Sequence, residues 1–193
     1  MRVRDRLTSA TATLMQRHGV AGTGIAEILA TSGVTRRSIY LNFPGGKAEL
    51  VAAATRSAGD EMTMTLRGYI DEPDPIGAFA RMWSDVLVST GFEGGCPIVA
   101  AASSRDESPE AASTAAHVFA EWGQLLAGRL KEDGINRAAA QSLSTTIVAA
   151  VEGAVILSRA ARSTKPLEQV ARHLNELISQ HRPAQSRDRR SRR

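Results

Sequence analysis

Cysteine is almost absent. Cys96 stands alone in 193 residues, so no disulfide within the chain can hold the fold, which suits a reducing cytoplasm. Histidine is scarce and scattered: His18, His117, His173 and His181 are isolated, and neither they nor Cys96 show metal-ligand spacing, so no metal or other cofactor is expected. Serine-hydrolase, P-loop and dinucleotide fingerprints are missing, and the GFEGG loop at 91–95 is of no phosphate-binding type. With no catalytic constellation in view, the chain does not read as an enzyme. Aromatics make up only 4% of the residues and β-branched runs of strand length are nearly absent, whereas alanine is plentiful. That balance favours closely packed helices and an all-α fold. The opening MRVRDRL lacks the apolar core of a signal peptide, and no apolar run approaches the length of a membrane span. A cytoplasmic protein with no membrane partner is the expectation.

Hydrophobic residues reach 42%, enough for a packed core, and the length suits a small domain joined to a larger one. The charge is unevenly spread. Residues 1–47 carry seven Arg or Lys against two acids, residues 48–181 carry eleven against seventeen, and residues 182–193 carry six Arg against one Asp. Two basic segments thus flank an acidic body. The basic front suits a polyanion, and the body does not.

The front segment has a readable order. Val3, Leu7, Ala10 and Leu14 form one stripe of a helix from Val3 to His18, with Arg2, Arg4 and Arg6 near its start and available to phosphates. Thr23 can cap a second helix with Ile25, Ile28 and Leu29 inward. Gly33 then permits a sharp turn through positive φ. Thr35 caps a third helix, residues 36–43, in which Ile39 and Phe43 face inward. Arg36, Arg37, Ser38, Tyr40 and Asn42 point largely elsewhere. Arginine forks suit guanine edges or phosphates, and Ser, Thr, Tyr and Asn offer neutral hydrogen bonds to a duplex. After Pro44-Gly45-Gly46, Lys47 sits in the first turn of a fourth helix, where free N–H groups favour an anion.

This stretch, TGIAEILATSGVTRRSIYLNFPGGKAELV, resembles the DNA-binding domain of the TetR family of bacterial repressors. The match spans about residues 5–55 and includes Tyr40, Phe43, Gly33 and Lys47-Ala48-Glu49-Leu50. The PGGK connection and the later GGCPIVAAA are similar to the LmrA-like, drug-responsive branch. Gly24 and Leu41 depart from the usual pattern. Leu41 stands where many members have His; it can touch a thymine methyl but cannot donate a hydrogen bond. The resemblance implies a three-helix helix-turn-helix domain (1–47), a helical effector-binding and dimerisation domain (48–181) and about nine helices in all. It implies double-stranded operator DNA as a partner, held by Thr35, Arg36, Arg37, Ser38, Tyr40, Asn42 and Lys47. It further implies a homodimer acting as a repressor.

The body is legible from its breaks. The fourth helix runs to about Ile70 and ends at Asp71-Glu72-Pro73-Asp74-Pro75. Ile76, Phe79, Trp83, Val86 and Leu87 mark the fifth. Pro97, Pro109 and Pro166 open later helices, and Asn136 can cap the eighth. From 182 the tail is too polar to bury a core and should be disordered. In the family the last two helices pair with their copies, which here nominates Ile147, Val151, Ala154, Val155, Leu174, Leu177 and Ile178 for dimerisation. Met62, Phe79, Trp83, Phe92, Phe119 and Trp122 hold most of the body's aromatic content and would line a cavity for a small lipophilic effector, with Glu152, Arg159 or His117 as a polar group. Cys96, near a helix start, reads more readily as a small buried hydrophobe than as an oxidant sensor. Two other classes remain open: a helical carrier of a lipophilic molecule, and an interaction protein whose basic tail binds RNA or anionic lipid.

Overall fold

The computed structural model describes residues 1–183; the tail expected from 182 lies outside the described residues from 184 onward. Among the described residues there are nine helices and no strand: α1 (Val3–His18), α2 (Ile25–Ser32), α3 (Arg36–Asn42), α4 (Gly46–Tyr69), α5 (Pro75–Ser89), α6 (Pro97–Ala102), α7 (Pro109–Glu132), α8 (Arg137–Ala161) and α9 (Lys165–His181). Helix ends fall where local chemistry puts them. Proline occupies the first turn of α5, α6, α7 and α9. It needs no N–H partner there, and its fixed φ already suits a helix. Asp74 accepts a hydrogen bond from Gly77 N at 2.8 Å to cap α5, and Asn136 accepts from Ala139 N at 3.0 Å to cap α8.

One expected cap is replaced. The residue before α2 is Gly24, and the Thr23 hydroxyl donates backwards to Gly19 O at 2.6 Å. Thr23 is fully buried, so its hydroxyl needs a near acceptor, and the turn carbonyl supplies one. Thr35 does precede α3, but its hydroxyl meets the Ser38 hydroxyl at 3.0 Å rather than a backbone N–H.

The chain forms two compact units. One holds residues 1–63 and 93–118; the other holds 64–92 and, among the described residues, 119–183. In the first, α1, α2, α3 and the start of α4 enclose Leu7, Leu14, Ile28, Ile39, Phe43 and Leu50, with Ile25, Leu29, Val34 and Ala53 at the edge. The short α6 packs on α1, and Gly95 N donates to Gln16 O at 3.1 Å in the approach to it. Within this unit α4 and α7 meet closely at Gly59: a Cβ there would sit 2.5 Å from Val118 Cγ2.

In the second unit α9 packs on both α8 and α5. Trp83, Leu87, Val155 and Leu167 are almost wholly buried in it. By length and composition α8 could cross a membrane, which corrects the expectation that no apolar run is long enough. Its inner face, including Leu143, Ile147, Val151 and Val155, is buried in the helical body, as in the core helix of a globular domain.

Candidate nucleic-acid interface and effector cavity

The turn between α2 and α3 is built on Gly33, at φ 63° and ψ 30°. A side chain in that left-handed conformation would cost roughly 1 kcal/mol. The end of α2 leaves carbonyls without helical partners, and Arg6 takes them. Its guanidinium donates to Ser32 O at 2.6 and 3.1 Å and to Gly33 O at 3.1 Å. Arg4 does the same for α3, donating to Asn42 O at 2.8 Å while lying 4.3 Å over the Phe43 ring. Two arginines expected to be available to phosphates therefore brace the helix-turn-helix from α1. Arg2 pairs with Asp5 at 3.4 Å.

With Ile39 and Phe43 anchored in the core, α3 turns its other side to solvent. Thr35, Arg36, Arg37, Tyr40 and Leu41 are exposed, and Ser38 and Asn42 are half-buried. Leu41 is 70% exposed, a large apolar side chain with no cover. Among the described residues neither Arg36 nor Arg37 has an ion pair. Asn42 donates from its amide nitrogen to Ser38 O at 2.8 Å. Lys47, half-buried in the first turn of α4, donates to Val20 O at 3.3 Å and has no acidic partner among the described residues. Glu49, the nearest acid in sequence, is turned to Gly45 N at 2.8 Å. The result is a short helix face with free cations, neutral donors and one apolar contact, the mixture that reads base edges and phosphates together.

The second unit contains a cavity of about 230 Å³. Of the six residues nominated from the sequence, Phe79 and Trp122 line it. Trp83 is buried at 1% exposure in the surrounding core. Phe119 stacks edge-on against Trp122, with ring centres 5.4 Å apart, and lines a separate outer groove between α7 and α8. Phe92 is half-buried after α5 at a positive φ of 64°, and Met62 belongs to the other unit. Of the polar candidates, Glu152 reaches the wall; Arg159 does not, and exposed His117 holds Ser113 O at 2.8 Å. The polar residues of the wall that the sequence does not point to are Asp74, Arg129, Asp133, Asn175 and Arg182. Arg182 reads from the sequence only as the start of a polar tail, and no spacing pairs it with Asp133; their meeting requires the fold. Cys96 is buried at the start of α6.

The residues nominated for dimerisation are placed unevenly. Ile147, Val151, Ala154, Val155, Leu174 and Ile178 are buried within the single chain, and Leu177 is half-buried. The uncovered large apolar residues of α8 are Ile156 and Leu157, 52% and 58% exposed.

Comparison with known proteins bears on both regions. Residues 7–54 match the family described as bacterial regulatory proteins, tetR family, and residues 74–173 match the C-terminal domain of LmrA/YxaF-like transcriptional regulators. An uncharacterised HTH-type transcriptional regulator of Mycobacterium tuberculosis is 32% identical over 190 residues, covering 95% of this chain and 98% of that one. The HTH-type transcriptional regulator LmrA of Bacillus subtilis is 27% identical over 180 residues, covering 91% and 96%. Among solved structures, regulatory protein TetR from Rhodobacter sphaeroides superposes with a TM-score of 0.81 at 19% identity, covering 90% of this chain and 97% of that one. A TetR transcriptional regulator from Chloroflexus aurantiacus gives a TM-score of 0.76 at 28% identity, covering 93% and 96%.

Proposed function

Because this chain belongs to the TetR family of transcriptional regulators and is no enzyme, we propose that its helix-turn-helix grips a near-palindromic operator as a homodimer and represses transcription until a small lipophilic effector binds. The observation that carries the reading is the α3 face, where Arg36 and Arg37 stand exposed on a firmly packed helix and, among the described residues, without acidic partners. Two copies of α3 would enter successive major grooves on one side of the duplex, about 34–36 Å apart or slightly more. Arg36 and Arg37 read bases, while Thr35, Ser38, Tyr40, Asn42 and Lys47 chiefly hold phosphates. The outer face of α8, with Ile156 and Leu157, joins α9 in pairing the two chains. Chromosomal DNA as partner implies a cytoplasmic location.

The cavity lined by Phe79 and Trp122 is the effector site. The effector lowers DNA affinity by no more than its preference for one reader spacing over the other. The chain passes from the first unit into the second within α4, between Thr63 and Met64, without a break in the helix. That continuous helix carries the change. The test is a gel shift of the purified chain against the DNA flanking its gene, followed by footprinting. A protected inverted repeat supports the reading; uniform, sequence-blind binding abolished by removing residues 182–193 would favour the interaction protein with a nucleic-acid-binding tail.

A further inference from the structure

Most of the cavity wall is hydrocarbon, including Leu66, Ile70, Ile76, Leu126, Val151 and Ile178. One end is different. Arg129, on the last turn of α7, and Arg182, just past α9, both bind the carboxylate of Asp133, one guanidinium to each oxygen. Arg129 Nε also donates to Ile70 O at 3.0 Å. All three side chains line the cavity and are mostly withdrawn from water, with Arg129 20%, Arg182 22% and Asp133 12% exposed. Two cations share one anion, so the cluster carries one excess positive charge in a largely apolar enclosure. A guanidinium has five N–H donors. Among the described residues the bonds above engage only two groups on Arg129 and one on Arg182, so both retain donors.

The acids nearby do not cancel this charge. Asp74 is held by Gly77 N and Asn175 Nδ2, each at 2.8 Å, and by Arg81 at 3.7 Å. Glu152 also reaches the wall, from α8, and it too is engaged in an interaction of its own rather than free. A partly desolvated excess charge is relieved by an anion, and paired arginines match a planar carboxylate.

We propose that the effector is an amphipathic organic anion whose carboxylate is taken by Arg129 and Arg182 and whose apolar body lies along Phe79 and Trp122. The inference deepens the reading of this cavity as the effector site and rests on it. It also gives Arg182 a role in ligand binding, separate from any role of the basic residues that follow.

The test uses the full chain and three probes with the same ten-carbon tail: decanoate, 1-decanol and decyltrimethylammonium. Binding is followed by calorimetry and by tryptophan fluorescence, and operator release by gel shift. Decanoate should bind about tenfold or more tightly than either other probe. Arg182→Gln should weaken decanoate about tenfold and leave 1-decanol within about twofold. Arg182 follows the last helix, so this variant keeps its fold if Arg129→Gln does not. Equal affinity for the three probes, tighter binding of the cation, no decanoate binding at about 1 mM, or an unchanged preference in Arg182→Gln would each overturn the proposal. If the cation binds best and releases operator, the anion inference fails while the regulatory reading stands. If decanoate binds selectively and operator affinity is unmoved, the anion site stands and the effector role fails.

Discussion

Arg36 and Lys47 illustrate two different uses of positive charge. An exposed arginine on the outer face of α3 can fork onto a guanine edge, so Arg36→Ala or Arg37→Ala should cost about 1–3 kcal/mol of operator binding and relax specificity at one base pair. Lys47 is half-buried and tied to Val20 O at 3.3 Å, which holds its ammonium near the start of α4. Lys47→Ala should weaken all sequences alike and reduce the salt slope by about one. A salt titration of the gel shift separates the two; an unchanged slope in Lys47→Ala contradicts its assignment to phosphate. Arg6 belongs to a third class. It bonds Ser32 O and Gly33 O, so Arg6→Gln should lower folding stability by about 1–2 kcal/mol in a urea melt. An Arg6→Gln protein with full stability but lost DNA affinity would return Arg6 to the phosphate-contacting set.

At the scale of elements, helix limits were legible because they depend on local chemistry. Val3 to His18, the prolines that open α6, α7 and α9, the Asn136 cap and the Gly33 turn all follow from residue types that act within one helical turn. Thr23 was misread because a cap and a backward hydrogen bond present the same residue in sequence, and burial decided between them. The Arg129–Asp133–Arg182 cluster joins residues on two helix ends that sequence spacing cannot bring together. So too with Arg4 and Arg6: composition showed charge near a presumed DNA reader, and only the fold showed that it bonds carbonyls. Close approach of α4 and α7 was equally hidden. Nothing in the residues around Gly59 marks it, yet a Cβ there would meet Val118 at 2.5 Å. Gly59→Leu should therefore destabilise the chain by about 1–3 kcal/mol, measurable as a lower midpoint in thermal or urea melts. A variant as stable as the parent would show that α4 and α7 separate at no cost.

For the whole molecule the decisive question is pairing. Most of the apolar positions first nominated for an interface, Ile147 and Val155 among them, complete the core of their own chain. Amphipathic periodicity marks the buried face of a helix but does not say whether the cover comes from the same chain or a copy. Ile156 and Leu157 remain uncovered on α8. If they face a second copy, Ile156→Asp with Leu157→Asp should shift the sedimentation equilibrium toward monomer and lower operator affinity, with helix content unchanged by circular dichroism. A dimer that persists unchanged in that variant places the interface elsewhere.

The central claim is that α3 reads a specific duplex only when two chains hold two copies at groove-matched spacing. Its most direct measurement is sedimentation of the purified protein with a footprinted operator and with an isolated half-site of the same length. Two chains should bind each operator, with at least about a hundredfold weaker binding to the half-site. One chain per duplex, with equal affinity for both DNAs, would contradict it.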